Sequence, residues 1–116
     1  MSITVYGIPN CDSVKRARVW LDEAGLSYHF HDFKKAGVPP EALARWLAEL
    51  GWERVINRAG TTWRKLDDAS KAGVVDAASA AALAVAQPSV IKRPVVQWTD
   101  GSLSIGFSPE VFLARR

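Results

Sequence analysis

A chain of 116 residues with 48% apolar and 23% charged side chains can bury one real core, and it reads as a single domain over 1–116. The net charge of +3 is small, and the cations are scattered in pairs such as Lys34-Lys35, Arg64-Lys65 and Arg115-Arg116. No dense basic stripe forms, so direct binding of nucleic acid is not expected. The single cysteine, Cys11, excludes a disulfide scaffold and suits a reducing cytosol. The N-terminus lacks a basic stretch followed by an apolar signal segment, and the longest uncharged stretch, 77–91, is too short to span a bilayer. A cytoplasmic protein with no membrane partner is the expectation.

The run Ile3-Thr4-Val5-Tyr6-Gly7 predicts a buried strand. A turn, Ile8-Pro9-Asn10, leads to Cys11. A helix follows over 13–25, with Val14, Ala17, Leu21 and Ala24 on one face, Ser13 as N-cap and Gly25 as stop. Alternation over 28–33 predicts a second strand with His29 and His31 on one side. Two histidines without a third ligand nearby do not make a metal site, and no metal is expected. Residues 34–37 read as a loop. Pro39-Pro40-Glu41 opens a helix that runs to about Leu50 and buries Leu43, Trp46, Leu47 and Leu50. Trp20 and Trp46 both sit in helical patterns, which favours packing over base stacking.

Residues 52–56 form a short apolar segment, and 61–66 suit a helical turn. The alanine-rich run 77–86 is a strong helix former, with Asp76 placed to cap it. Val95-Val96-Gln97-Trp98 and 103–107 predict a hairpin joined by a two-residue Asp100-Gly101 turn. Ser108-Pro109-Glu110 starts a last helix that ends in Arg115-Arg116. The order is β-α-β, helices, hairpin, helix. That is the order of an α/β, thioredoxin-like fold with a helical insertion before the C-terminal β-hairpin.

Cys11 stands where a strand passes into a helix. The unpaired N–H groups and partial positive charge of a helix start favour a thiolate there. Lys15 and Arg16 lie in the first turn, where cations weaken a helix, so an anion is expected nearby. A lone cysteine is equally often a small buried hydrophobe, and position alone does not separate the two.

The loop Tyr6-Gly7-Ile8-Pro9-Asn10-Cys11-Asp12-Ser13-Val14-Lys15-Arg16-Ala17 resembles the active-site loop of the ArsC-like family of arsenate reductases and Spx relatives. Ile91-Lys92-Arg93-Pro94-Val95-Val96 resembles its Arg-Pro signature, and Gly106-Phe107-Ser108-Pro109-Glu110 the end of its domain; the small YffB-type branch is the nearest pattern. The resemblance implies Cys11 as nucleophile, Arg93 as an anion-binding arginine and Pro94 as a cis-proline beside the thiol. It also implies Asn10, Lys15 and Arg58 as further substrate-binding residues, with Arg58 displaced by about one position. Gly7 stands where a histidine often precedes the loop, the last-strand arginine is missing, and Val14 rules out a Cys-x-x-Cys pair.

A single thiol needs an external one to resolve its mixed disulfide. The expected function is therefore a glutathione-dependent thiol reductase with no bound cofactor. Glutathione would be co-substrate, acting on a small thiol or disulfide, with glutaredoxin as a further partner. Arsenate reduction and Spx-like binding of RNA polymerase are the alternatives that the resemblance leaves open.

Overall fold

The computed structural model describes residues 2–116. The chain divides into two compact units. One takes the N-terminal stretch through Ala36 together with Arg93–Arg116, and the other is Gly37–Lys92.

The first unit is built on a four-stranded sheet. Strand β1 (Ile3–Gly7) alternates buried and half-buried side chains, as expected for a strand covered more closely on one face. Helix α1 (Asp12–Glu23) returns the chain so that β2 (Tyr28–Asp32) pairs parallel to β1, with Val5 opposite Phe30. On the other side of β1 lies β3 (Val95–Gln97), antiparallel, with Val5 opposite Val96; β4 (Leu103–Ile105) completes the order β2-β1-β3-β4. This is the thioredoxin-like α/β arrangement, with the second unit inserted before the hairpin.

The core of this unit joins Ile3 and Val5 of β1, Ala17 and Leu21 of α1, Val96 and Trp98, and Phe112 from the last helix. Phe112 is fully buried and is met edge-on by Trp20, Trp98 and Phe107 at ring-centre distances of 5.5, 4.9 and 5.0 Å. Such edge-to-face contacts add to apolar burial, and losing a ring of this kind costs about 3–5 kcal/mol. The indole N–H of Trp98 donates to Ser104 Oγ at 2.9 Å, so its polar edge is satisfied inside the core.

Several boundaries differ from the sequence expectation. Helix α1 starts at Asp12 with Cys11, not Ser13, at the N-cap. Gly25 follows the helix with φ of +72°, the left-handed turn for which it was chosen. Phe33 leaves the strand and opens a short helix, α2 (Phe33–Ala36), because Asp32 Oδ1 accepts the Lys34 N–H at 2.8 Å and turns the chain. His31 is half-buried, with ring contacts to Tyr6 and Phe33.

The hairpin loop is also longer than expected. Trp98 N–H pairs with Ser102 O, and Gly101 N–H bonds back to Trp98 O, leaving residues 99–101 as the loop. Gly101 sits at φ of +84°, which makes this a turn closed by a glycine bulge. Asp100 Oδ1 accepts the Ser102 N–H, a side-chain bond that the Asp-Gly pattern alone does not reveal. The returning strand stops at Ile105.

In the second unit, α3 (Pro40–Leu50) buries Leu43, Trp46 and Leu47, as expected, but leaves Leu50, in its last turn, only half-buried, and it ends at Gly51 with φ of +87°. Short helices follow: α4 (Trp52–Val55), α5 (Thr61–Arg64) and α6 (Asp68–Ala72). The last of these was not anticipated; its signal is Asp67, which caps it by accepting the Ser70 N–H. Helix α7 (Ala77–Ala86) buries Ala80 and Ala84 one turn apart and packs on α3, where small side chains allow close approach. Ile56 bridges Ile91, flanked by hydrogen bonds from Asn57 N–H to Val90 O and from Lys92 N–H to Val55 O. Back in the first unit, Ser108 caps α8 (Pro109–Arg115), as its sequence pattern indicates. Among the described residues no helix is long and apolar enough to cross a membrane.

Candidate active site

The site begins with a close approach. Gly7 ends β1, and a Cβ there would lie 2.7 Å from Val14 Cγ2. Val14 is fully buried in the first turn of α1. Only a glycine lets the helix start rest on the strand end, and this fixes the short loop that carries Cys11. Ile8 is buried, Pro9 and Asn10 form an exposed turn, and Cys11 follows in extended conformation at φ −100°, ψ 129°. The Lys15 N–H bonds to Cys11 O at 2.9 Å and starts the helical ladder.

Arg93 and Pro94 arrive from the other strand. The Arg93–Pro94 peptide bond is cis, as the resemblance implies. Tyr6 lies opposite Val95 in the antiparallel pair, so continuing the register brings Pro94 to the end of β1, where the Cys11 loop departs. Pro94 is buried, and its carbonyl accepts the Gly106 N–H at 2.9 Å. Arg93 is half-buried.

The Cys11 thiol is half-buried, and this burial by itself pushes its pKa up. The opposing influences are stronger. The Val14 N–H, the Arg93 guanidinium through both hydrogen bonding and charge, and the Ser13 N–H together hold the thiol below its ordinary range. The side chain closes no capping hydrogen bond of regular geometry on the helix, so these N–H groups remain available to the sulfur. Sequence reasoning identified Cys11 and Arg93 but not Val14 and Ser13. Their signal was present: they are the second and third helical positions after an N-cap, where orphan N–H groups point back.

The other cations of this unit are placed differently. Lys15 is exposed one turn beyond Cys11. Arg16 lies over the Phe107 ring at 5.2 Å, which accounts for a cation in the first turn without any ligand. Arg58 belongs to the second unit, where it is half-exposed, pairs with Glu53 at 3.7 Å and lies over Trp52.

Comparison with known proteins gives the family. Residues 6–115 match the ArsC family. A solved structure named YffB superimposes with a TM-score of 0.93 at 51% identity, covering 98% of each chain. The solution structure of an arsenate reductase (ArsC) related protein from Brucella melitensis has 52% identity and a TM-score of 0.76, covering 98% of this chain and 93% of that one. An uncharacterized protein of Haemophilus influenzae is 37% identical over 97% of this chain and 96% of its own length. Streptococcal Spx transcriptional regulators are also related, one from Streptococcus pyogenes at 26% identity over 97% of this chain and 86% of its own. The chain belongs to the ArsC family. At the level of the family this is the class of thiol-based oxidoreductases.

Proposed function

We propose that this protein is a glutathione-dependent thiol reductase acting through the Cys11 thiolate and a mixed disulfide. The observation that carries the reading is the pairing of Cys11 with Arg93 at a helix start, which lowers the thiol pKa. The Cys11 thiolate attacks the glutathione-side sulfur of a mixed disulfide R–S–S–G. The S–S bond breaks, R–S⁻ leaves and takes a proton from water, and Cys11–S–S–G forms. A glutathione thiolate then attacks that bond and releases oxidised glutathione and the Cys11 thiolate. The net change is R–S–S–G plus glutathione giving R–SH plus the glutathione disulfide, so electrons balance without a bound cofactor. Glutaredoxin would serve as an alternative source of the resolving thiol.

Arg93 stabilises the thiolate, and a guanidinium there also suits a carboxylate of glutathione. Lys15 and Asn10 are exposed on the approach to the thiol and offer further polar contact. Pro94 has no N–H to donate, so it shapes the wall beside the sulfur. The reading needs nothing from Arg58.

Arsenate reduction ranks second. A tetrahedral oxyanion needs several cationic donors around the reacting atom, and in this unit Arg16 lies over Phe107 while Arg18 lies over Phe30. The test compares turnover of a glutathionylated peptide with arsenate reduction, both with glutathione present. Wild type should turn over the peptide disulfide much faster, Cys11→Ser should lose all turnover, and Arg93→Ala should retain a weakened activity. Faster arsenate turnover reverses the ranking, and full activity in Cys11→Ser removes the mechanism.

A further inference from the structure

Arg18 is a second arginine held in a defined geometry, and the chemistry at Cys11 does not use it. Its guanidinium carbon lies 4.2 Å from the centre of the Phe30 ring, and its Nε donates to Tyr28 Oη at 3.0 Å. One face and one edge of the guanidinium are therefore fixed. Asp22, one turn further along α1, is the ordinary i,i+4 partner for such a side chain. Arg18 forms no ion pair with it, and neither side chain has another ion-pair partner among the described residues.

Both charges line the same cleft of about 510 Å³, walled by Leu26, Tyr28 and Phe30. That volume is in the range of small-molecule sites. Arg18 lies about 10 Å and Asp22 about 16 Å along α1 from Cys11, at roughly 1.5 Å per residue, so the cleft is a separate place on the same unit.

We propose that this cleft binds a small zwitterion, a free amino acid with an apolar side chain. The two Nη groups of Arg18 form a fork that fits a carboxylate in bidentate fashion. The Asp22 carboxylate takes the ammonium group. Leu26 and Phe30 supply an apolar wall for the side chain. A simple anion would gain Arg18 but face Asp22, and a simple amine the reverse, so only a ligand with both charges satisfies both groups.

The test is titration of isotope-labelled protein, followed by amide NMR, with L-leucine as probe. The controls are 4-methylpentanoate, which lacks the ammonium, and 3-methylbutylamine, which lacks the carboxylate. L-leucine should shift the amides of Arg18, Asp22, Leu26, Tyr28 and Phe30 saturably. Each control should bind about tenfold or more weakly, the loss expected for one missing charge-assisted contact. Asp22→Asn should erase the advantage of L-leucine over 4-methylpentanoate. Arg18→Lys, which keeps the charge but not the fork, should weaken L-leucine by a similar factor.

Unchanged spectra outside the cleft and an unchanged Cys11 alkylation rate would show that these variants are folded. No saturable shift with L-leucine up to about ten times a millimolar Kd overturns the proposal. Equal binding of 4-methylpentanoate and L-leucine also overturns it, in favour of a plain anion site. Neither result bears on the thiol chemistry, which alkylation of Cys11 reads separately.

Discussion

Helices α1 and α7 begin in opposite ways. At α7, Asp76 and Ser79 form a reciprocal capping box: Asp76 Oδ1 accepts the Ser79 N–H at 2.9 Å, and Ser79 Oγ accepts the Asp76 N–H at 3.1 Å. Two N–H groups at that helix start are thus met by its own side chains. At α1 the N-cap is a cysteine, a weak acceptor as a thiol, and no regular cap is closed. The N–H groups of Ser13 and Val14 instead stabilise negative charge on sulfur. A helix start can thus serve its own stability or activate a side chain, and the choice of cap residue decides which. The weakness of the α1 start is offset elsewhere, by the contact of Val14 with Gly7 and by the buried Ala17 and Leu21.

The sharpest way to break this contrast is to give α1 an ordinary cap. Cys11→Asp should lose all disulfide turnover, because no thiolate remains. The same variant should unfold at higher temperature, by an amount near the typical 1 kcal/mol of an Asp N-cap, with Arg93 as added counter-charge. Calorimetry and the turnover assay on the same sample check both halves. A variant less stable than wild type would mean that the α1 start is not short of a cap.

Next in size is the strand–helix contact that carries the loop. Gly7→Ala places a methyl against Val14 and should cost about 1–3 kcal/mol, the usual range for overpacking a core. Urea unfolding measures this. Combining it with Val14→Ala should cost less than the sum of the two single changes, since they share one contact.

Arg93→Ala acts on the thiolate. Removing that hydrogen bond and charge raises the Cys11 pKa toward the free-thiol value of about 8.5, so alkylation at neutral pH slows and its midpoint moves to higher pH. The linkage to stability has a definite sign. A thiol whose pKa is lower in the folded state adds stability that is fully present above the unfolded pKa and is lost as pH falls through the folded one. Wild type should therefore gain on Cys11→Ser in unfolding free energy as pH rises through the lowered folded-state pKa toward the free-thiol value of about 8.5, and that gain should shrink when Arg93 is also replaced. The smallest effect is expected at the other helix. Asp76→Ala should lower the melting temperature slightly and leave the Cys11 alkylation profile untouched; a shifted profile would show that the two helix starts are not independent.

Much of this was legible from local pattern. The apolar period and the capping and breaking residues marked α1, α3, α7 and α8 within a few positions, because each helix buries one stripe and needs its ends satisfied. The Asp-Gly pair marked the hairpin, and the Cys11 loop with the Arg-Pro signature marked the family. Short elements were less visible. Helices α2 and α6 depend on single side-chain-to-backbone bonds from Asp32 and Asp67, too brief for any hydrophobic period to show.

What the amino-acid sequence determined by itself was the order of elements, the thioredoxin-like class and the identity of the nucleophile candidate. These follow from properties carried by neighbouring residues. What only the tertiary structure decided was the environment of that thiol. Arg93 is far from Cys11 in the chain and meets it because β3 pairs antiparallel to β1, with Tyr6 opposite Val95. The same is true of the cations that share α1. Arg16 and Arg18 look alike in the sequence, yet one turns to Phe107 and the other to Tyr28 and Phe30. A charge has no preferred direction until packing puts an aromatic face or a sulfur within its reach, and that placement depends on residues remote in the chain.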